Sequence, residues 1–195
     1  MTTTRLWWAT LGLTLGLVAT TGMAAPLTYI VDPSHTFPSF EADHWGGLSV
    51  WRGKVNRTEG VVVFDREAET GTIDVTMDMA SIDFGHDGMN ERATVEILEV
   101  DKFPNATYTG RLIRFRDGQP TAVEGTLTIH GVSQPVNLQV DSFRCQPHHR
   151  LKREVCGSLA STTINRADYG LDYDLENGFF PEVKLFITVE ALVEE

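Results

Sequence analysis

The chain has 195 residues, 42% of them apolar, 22% charged and 9% aromatic, proportions that exclude a disordered or fibrous protein and fit one globular domain. With 27 acidic against 16 basic residues its formal net charge is −11, which argues against nucleic acid as a partner, because phosphates are neutralised by clustered Lys and Arg. A single domain of this length buries enough surface to fold without a dense disulfide framework or a structural metal.

Residues 1–24 have the three parts of a secretory signal peptide: Arg5 as the positive start, an apolar run from Leu6 to Ala19, and the small residues Gly22 and Ala24 ahead of the cut. Thr10, Thr14, Thr20 and Thr21 dilute a run already short of the about 20 apolar residues a spanning helix needs. The expectation is cleavage after Ala24 and a periplasmic product, with one domain over residues 25–195.

From residue 25 onward apolar residues alternate with polar ones, the mark of half-buried strands. Strands are predicted over 27–31, 36–44, 51–58 and 60–65. Next comes Thr72 to Ala80, with Ile73, Val75, Met77 and Met79 on one face and Asp74, Thr76 and Asp78 on the other. One helix is predicted from Met89 to Leu98, with Met89, Ala93 and Ile97 in one stripe and Asp87 as its N-cap. Strands resume over 107–116, through Val123, Gly125, Leu127 and Ile129, through Val136, Leu138 and Val140, and over 155–164. The last runs from Val183 to Val193, with Val183, Leu185, Ile187, Val189 and Ala191 on its apolar face. Turn signals fall between them at 69–71, 117–120, His130-Gly131 and in the charged loop Pro147 to Arg153.

Cys145 and Cys156, in an exported chain, are read as a disulfide; the rival reading is a metal site drawing on His148 and His149, at ligand spacing from both cysteines. His148, His149, Arg150, Lys152 and Arg153 make the one dense basic cluster, suited to a phosphate head group or a membrane surface, or else a solvated hairpin tip. His35 and His44 lie nine residues apart on the first strands and are assigned hydrogen bonding at a barrel end, and His130 a turn. Asp32, Ser34 and His35 crowd together without implying triad geometry. The chain contains no zinc-protease, nucleophile-elbow, phosphate-loop or haem-attachment motif, so no catalytic residue, metal or cofactor is assigned.

Short strands joined by hairpin-length turns, with one helix, predict an all-β antiparallel sheet that folds into a sandwich or closes on itself. Several motifs resemble the YceI-like family of exported bacterial proteins. They are Tyr29-Ile-Val-Asp32-Pro33-Ser34-His35 followed by Phe40 and His44, Phe64-Asp65, Ala80-Ser81-Ile82, Asp101-Lys-Phe103-Pro104, the hairpin Gly125 to Val132 with Pro135-Val136, and Asn165-Arg166-Ala-Asp168-Tyr169-Gly170. The resemblance covers nearly all of the chain after residue 24. It implies an eight-stranded antiparallel, lipocalin-like β-barrel with one short helix, a lengthwise apolar channel for a polyisoprenoid or other long lipid, and no catalytic residues. In that segment, Arg166 to Gly170 is assigned a structural role in closing the barrel, with Asp168 pairing Arg166 or capping a turn.

On this reading Phe40, Val75, Met77, Leu127, Ile129, Leu138, Leu185 and Ile187 line the channel, and Trp45, in the His44-Trp45-Gly46-Gly47 turn, stands at its mouth. The expected partner is a long-chain isoprenoid or other lipid, with transient membrane contact and a homodimer both compatible with the sequence. A solidly packed barrel acting through protein contacts, and a metal-dependent enzyme using the histidines or the cysteine loop, are the competing readings.

Overall fold

The computed structural model describes residues 25–195; the predicted signal peptide lies outside the described residues. Twelve strands form one antiparallel sheet. In chain order they are β1 (Leu27–Val31), β2 (Phe37–His44), β3 (Ser49–Val55), β4 (Thr58–Asp65), β5 (Thr70–Asp78) and the two-residue β6 (Ile82–Asp83). After the helix come β7 (Asn105–Arg116), β8 (Gln119–Ile129), β9 (Val132–Pro135), β10 (Leu138–Pro147), β11 (Glu154–Asn165) and β12 (Glu182–Val193).

The sheet closes because β1 pairs with β4 on one side and with β12 on the other. Two of its staves are broken strands. β1 and β2 lie end to end along β12, and β3 and β4 lie end to end against them. With these counted as one stave each, the architecture is an eight-stranded closed antiparallel barrel with one short helix, and the sandwich alternative is excluded.

Each break has a local cause. At 32–36 Asp32 turns the chain, its carboxylate accepting the Ser34 N–H at 2.8 Å. There the Thr36 hydroxyl donates to Glu190 O and accepts the Glu190 N–H, both at 3.2 Å, replacing the ladder bonds lost by the kink. The second break follows Val55, where the Arg57 N–H turns to the Ser81 hydroxyl. β5 ends two residues before the predicted Ala80 because the Asp78 side chain accepts the Ala80 N–H and starts a 3-10 turn, Met79–Ser81.

Between β7 and β8 Asp117 and Gly118 have φ of 52° and 71°, and between β8 and β9 His130 and Gly131 have 53° and 74°. Two successive positive-φ residues suit the twist of a two-residue hairpin. The helical segment begins two residues before the predicted Met89 and changes type after Arg92. α1 covers Asp87–Arg92 and continues as a π-helical turn, Ala93–Ile97. Its N-cap is His86, whose imidazole accepts the Met89 N–H, and not Asp87. No described helix is long and apolar enough to cross a membrane.

Candidate functional site

Period-two alternation points one face of every stave at the barrel axis. On β12 that face is Val183, Leu185, Ile187, Val189 and Ala191, and on β5 it is Ile73, Val75 and Met77; all of them line one interior cavity of about 450 Å³. The α1 stripe Met89, Ala93 and Ile97 covers the same space. Two glycines on inward faces make room for rings. A side chain at Gly125 would collide with the Tyr108 hydroxyl, and one at Gly53 would lie 2.5 Å from Phe40 Cζ. Tyr108 donates to Val136 O at 2.9 Å, and burial raises its pKa far above the ordinary phenol range. Thr58, 3% exposed, also lines the cavity, and its hydroxyl has no hydrogen-bond partner among the described residues.

The register gives the cavity two unlike ends. At the first, Tyr29 (2% exposed) and Phe64 (3% exposed) face inward. Phe64 stacks on Phe115 at 6.3 Å and meets Phe143 edge-on at 5.6 Å. The Tyr29 hydroxyl donates to Glu154 Oε1 at 2.5 Å, and the Arg66 guanidinium reaches the same oxygen at 3.1 Å. Burial, with the Glu154 bond second, pushes the Tyr29 pKa up to about 12, so the phenol keeps its proton. Cys145 and Cys156 oppose each other across β10 and β11 and form the disulfide. Glu154 completes a cluster of potential metal ligands with them. Each sulfur is bonded to the other, so neither is a thiolate able to ligate a metal.

At the second end the lining residues are aromatic, charged and only partly covered: His44, Trp51, Phe84, Arg92, Arg166, Tyr173, Asp174 and Phe179. The Arg92 side chain is 54% exposed, so the cavity reaches solvent here. His44 bonds the Ser49 hydroxyl at 3.1 Å and meets Trp51 and Phe179 edge-on. Arg166 donates to Leu171 O at 2.7 Å. Burial lowers its pKa against the opposing pull of Asp172, Asp174 and Asp43. The Asp43 carboxylate accepts the N–H groups of Gly46, Gly47 and Phe180. Those bonds outweigh its desolvation and leave its pKa below the ordinary carboxylate value.

Of the predicted channel residues, Phe40, Val75, Met77, Leu127, Ile129, Leu138, Leu185 and Ile187 all line the cavity. Trp45 does not: with φ of 58° it turns the chain between β2 and β3, and the residue is 63% exposed. The basic cluster is also displaced from the opening. His148, His149, Arg150, Lys152 and Arg153 form the β10–β11 turn at the first end, beyond the disulfide, and none lines the cavity. His148 and His149 stack on each other, and Arg153 donates to Val193 O.

Asp168 does not pair with Arg166; the turn Arg166–Tyr169 is capped by Asn165, whose side chain accepts the Ala167 N–H. His35 bonds Asp32 at 2.7 Å on the outer surface. His130, at its turn, reaches Glu99 at 3.1 Å and Tyr169 O at 3.3 Å, tying the hairpin to the two segments that flank it. Sequence reasoning missed Arg92, Arg166 and the 173–179 segment as lining. The helical stripe was a usable signal for the first, whereas the irregular 171–181 loop has no periodicity to read.

A closed antiparallel barrel enclosing an apolar cavity that opens at one end is a binding barrel. Residues 29–191 match the YceI-like domain, and the chain belongs to that family. It is 30% identical over 190 residues to Protein YceI of Salmonella arizonae, covering 95% of this chain and 97% of that protein. It shares its fold with Burkholderia cenocepacia BcnA, at TM-score 0.66 and 18% identity over 82% of this chain and 98% of that one. A polyisoprenoid binding domain from Saccharophagus degradans has the same fold, at TM-score 0.63 and 17% identity over 86% of this chain and 99% of that one.

Proposed function

We propose that this is an exported, non-enzymatic binding protein that holds the apolar chain of a long lipid, a polyisoprenoid, isoprenoid quinone or similar molecule, inside the barrel for carriage, storage or stress response. The observation that carries the reading is the cavity. At about 450 Å³ it falls within the roughly 300–1,000 Å³ usual for ligand sites, and its walls are the apolar faces of the staves. Burial contributes about 0.8 kcal/mol per methylene-sized group, so one five-carbon isoprene unit supplies roughly 3 to 4 kcal/mol before the costs of association. The name of the Saccharophagus degradans domain supports the same ligand class.

The chain would enter past His44, Trp51 and Phe179 and leave its polar end beside Arg92, Arg166 and Tyr173. The outer Asp32–His35 pair lacks a partnered nucleophile: Ser34 contributes its backbone N–H, not its hydroxyl, to Asp32.

Organic extraction of the purified protein followed by mass spectrometry is expected to release a long-chain lipid. Delipidated protein should bind a polyprenol saturably, and Ala160→Trp, which places an indole in the cavity, should weaken that binding at least about tenfold while circular dichroism shows the barrel intact. An empty extract together with no saturable binding would overturn the reading in favour of a barrel that acts only through its surface.

A further inference from the structure

The outer side of the cavity mouth carries an exposed apolar patch. In and beside the β2–β3 turn Trp45 is 63% exposed, Leu48 70% and Val50 50%, and Phe180, in the loop before β12, is 51% exposed. The two segments form one surface. Asp43 ties them by accepting N–H groups from Gly46, Gly47 and Phe180, and the Phe180 ring lies beside Gly47. No Asp, Glu, Lys or Arg occurs in residues 44–51 or 177–181 of a chain that is 22% charged. The chain neighbours of this patch, His44, Trp51 and Phe179, line the mouth itself.

We propose that this patch docks the barrel, mouth first, on the surface of a zwitterionic phospholipid bilayer. The inference rests on reading the cavity as a lipid site. A long isoprenoid is nearly insoluble in water, so its transfer is fastest when the mouth meets the bilayer and the chain never crosses an aqueous gap. Exposed Leu, Val and Phe side chains lose water by entering the headgroup boundary, and an indole is well suited to that depth. The net charge of −11 opposes approach to an anionic surface, so the contact is apolar insertion rather than charge attraction. The basic turn, at the other end of the barrel, then faces away from the membrane.

The test uses residues 25–195, since the pairing of β1 with β12 that closes the barrel lies wholly within them. Phosphatidylcholine vesicles with brominated acyl chains should quench tryptophan emission, and Trp45→Phe should remove most of that quenching. Leu48→Ser with Phe180→Ser should lower partition onto phosphatidylcholine vesicles at least about tenfold and leave polyprenol binding in vesicle-free buffer unchanged. Unquenched Trp45, or wild-type partition by the double variant, would overturn the proposal. So would partition that depends on Arg150, Lys152 and Arg153 instead. Vesicle docking through the patch with no polyprenol binding would support the docking surface and overturn the cargo reading.

Discussion

The two ends of the barrel are built from different chemistry. At the β10–β11 turn end Phe64 stacks on Phe115 and meets Phe143 edge-on, Tyr29 is hydrogen-bonded to Glu154, and a disulfide joins the adjacent strands. At the other end the rings of Phe84, Trp51, His44 and Phe179 touch only at their edges, and the rim includes the half-exposed Arg92. The first end is a plug and the second is an opening. A cavity of this kind needs both, since a tube open at each end would admit water along its whole length, while one sealed twice would exchange nothing.

Truncation should separate the ends most sharply. Phe64→Ala removes a buried ring from the plug and should cost about 3 to 5 kcal/mol in denaturant unfolding; Phe84→Ala at the half-buried rim should cost roughly half as much. Equal costs would break the distinction between plug and opening. Next in size is the disulfide. Replacing both Cys145 and Cys156 by Ser should lower stability by about 3 kcal/mol in the chain-entropy account of so short a loop. Unfolding the wild-type protein without reductant should expose no reactive thiol, and two titratable thiols would contradict the bond.

A smaller effect is expected from the basic turn. Changing Arg150, Lys152 and Arg153 to Ser should alter polyprenol affinity by less than about tenfold, because the apolar chain supplies most of the free energy. A hundredfold, salt-dependent loss would move the head group to the plugged end. The smallest effect concerns the outer pair Asp32 and His35. Its hydrogen bond and charge raise the His35 pKa above 6.5; on Asp32 desolvation pushes upward, but the bonds from His35 and Ser34 prevail and hold it below 3.8. A raised histidine contributes stability that is fully present below its unfolded pKa and fades as pH rises through the folded value. A depressed carboxylate contributes stability that fades as pH falls through its folded value. The pair is therefore complete between about pH 4 and 6.5. An NMR titration should find His35 above 6.5, and Asp32→Asn should bring it down; an unshifted His35 would remove the pair from the account.

How far the sequence could be read depended on the range of the signal. The alternation on β12 and β5 marked the cavity wall residue by residue, because successive side chains on a strand must point to opposite faces. The same signal ran on too far at Met79, since Asp78 caps a turn there without disturbing the pattern. At the helix start an acidic residue looked like the cap and the neighbouring His86 proved to be it; both can accept an N–H, and only the backbone angles choose. Trp45 looked like a mouth residue by its aromatic character and its glycines, but its left-handed backbone turns it outward.

The sequence by itself determined the strands, their inward faces, the cysteine pair as the natural cross-link, and, through its motifs, the family. All of these are written in local spacing or in residue identity. Only the tertiary structure decided which end of the barrel is open. That depends on contacts between distant parts of the chain, such as Tyr29 with Glu154, Phe64 with Phe143, and β1 with β12. It also decided that the basic turn lies at the plugged end and that Arg92 and Arg166 face the cavity. Periodicity fixes the direction of a side chain relative to its own strand, whereas the end at which a turn emerges is fixed by the register of strands far apart in the chain.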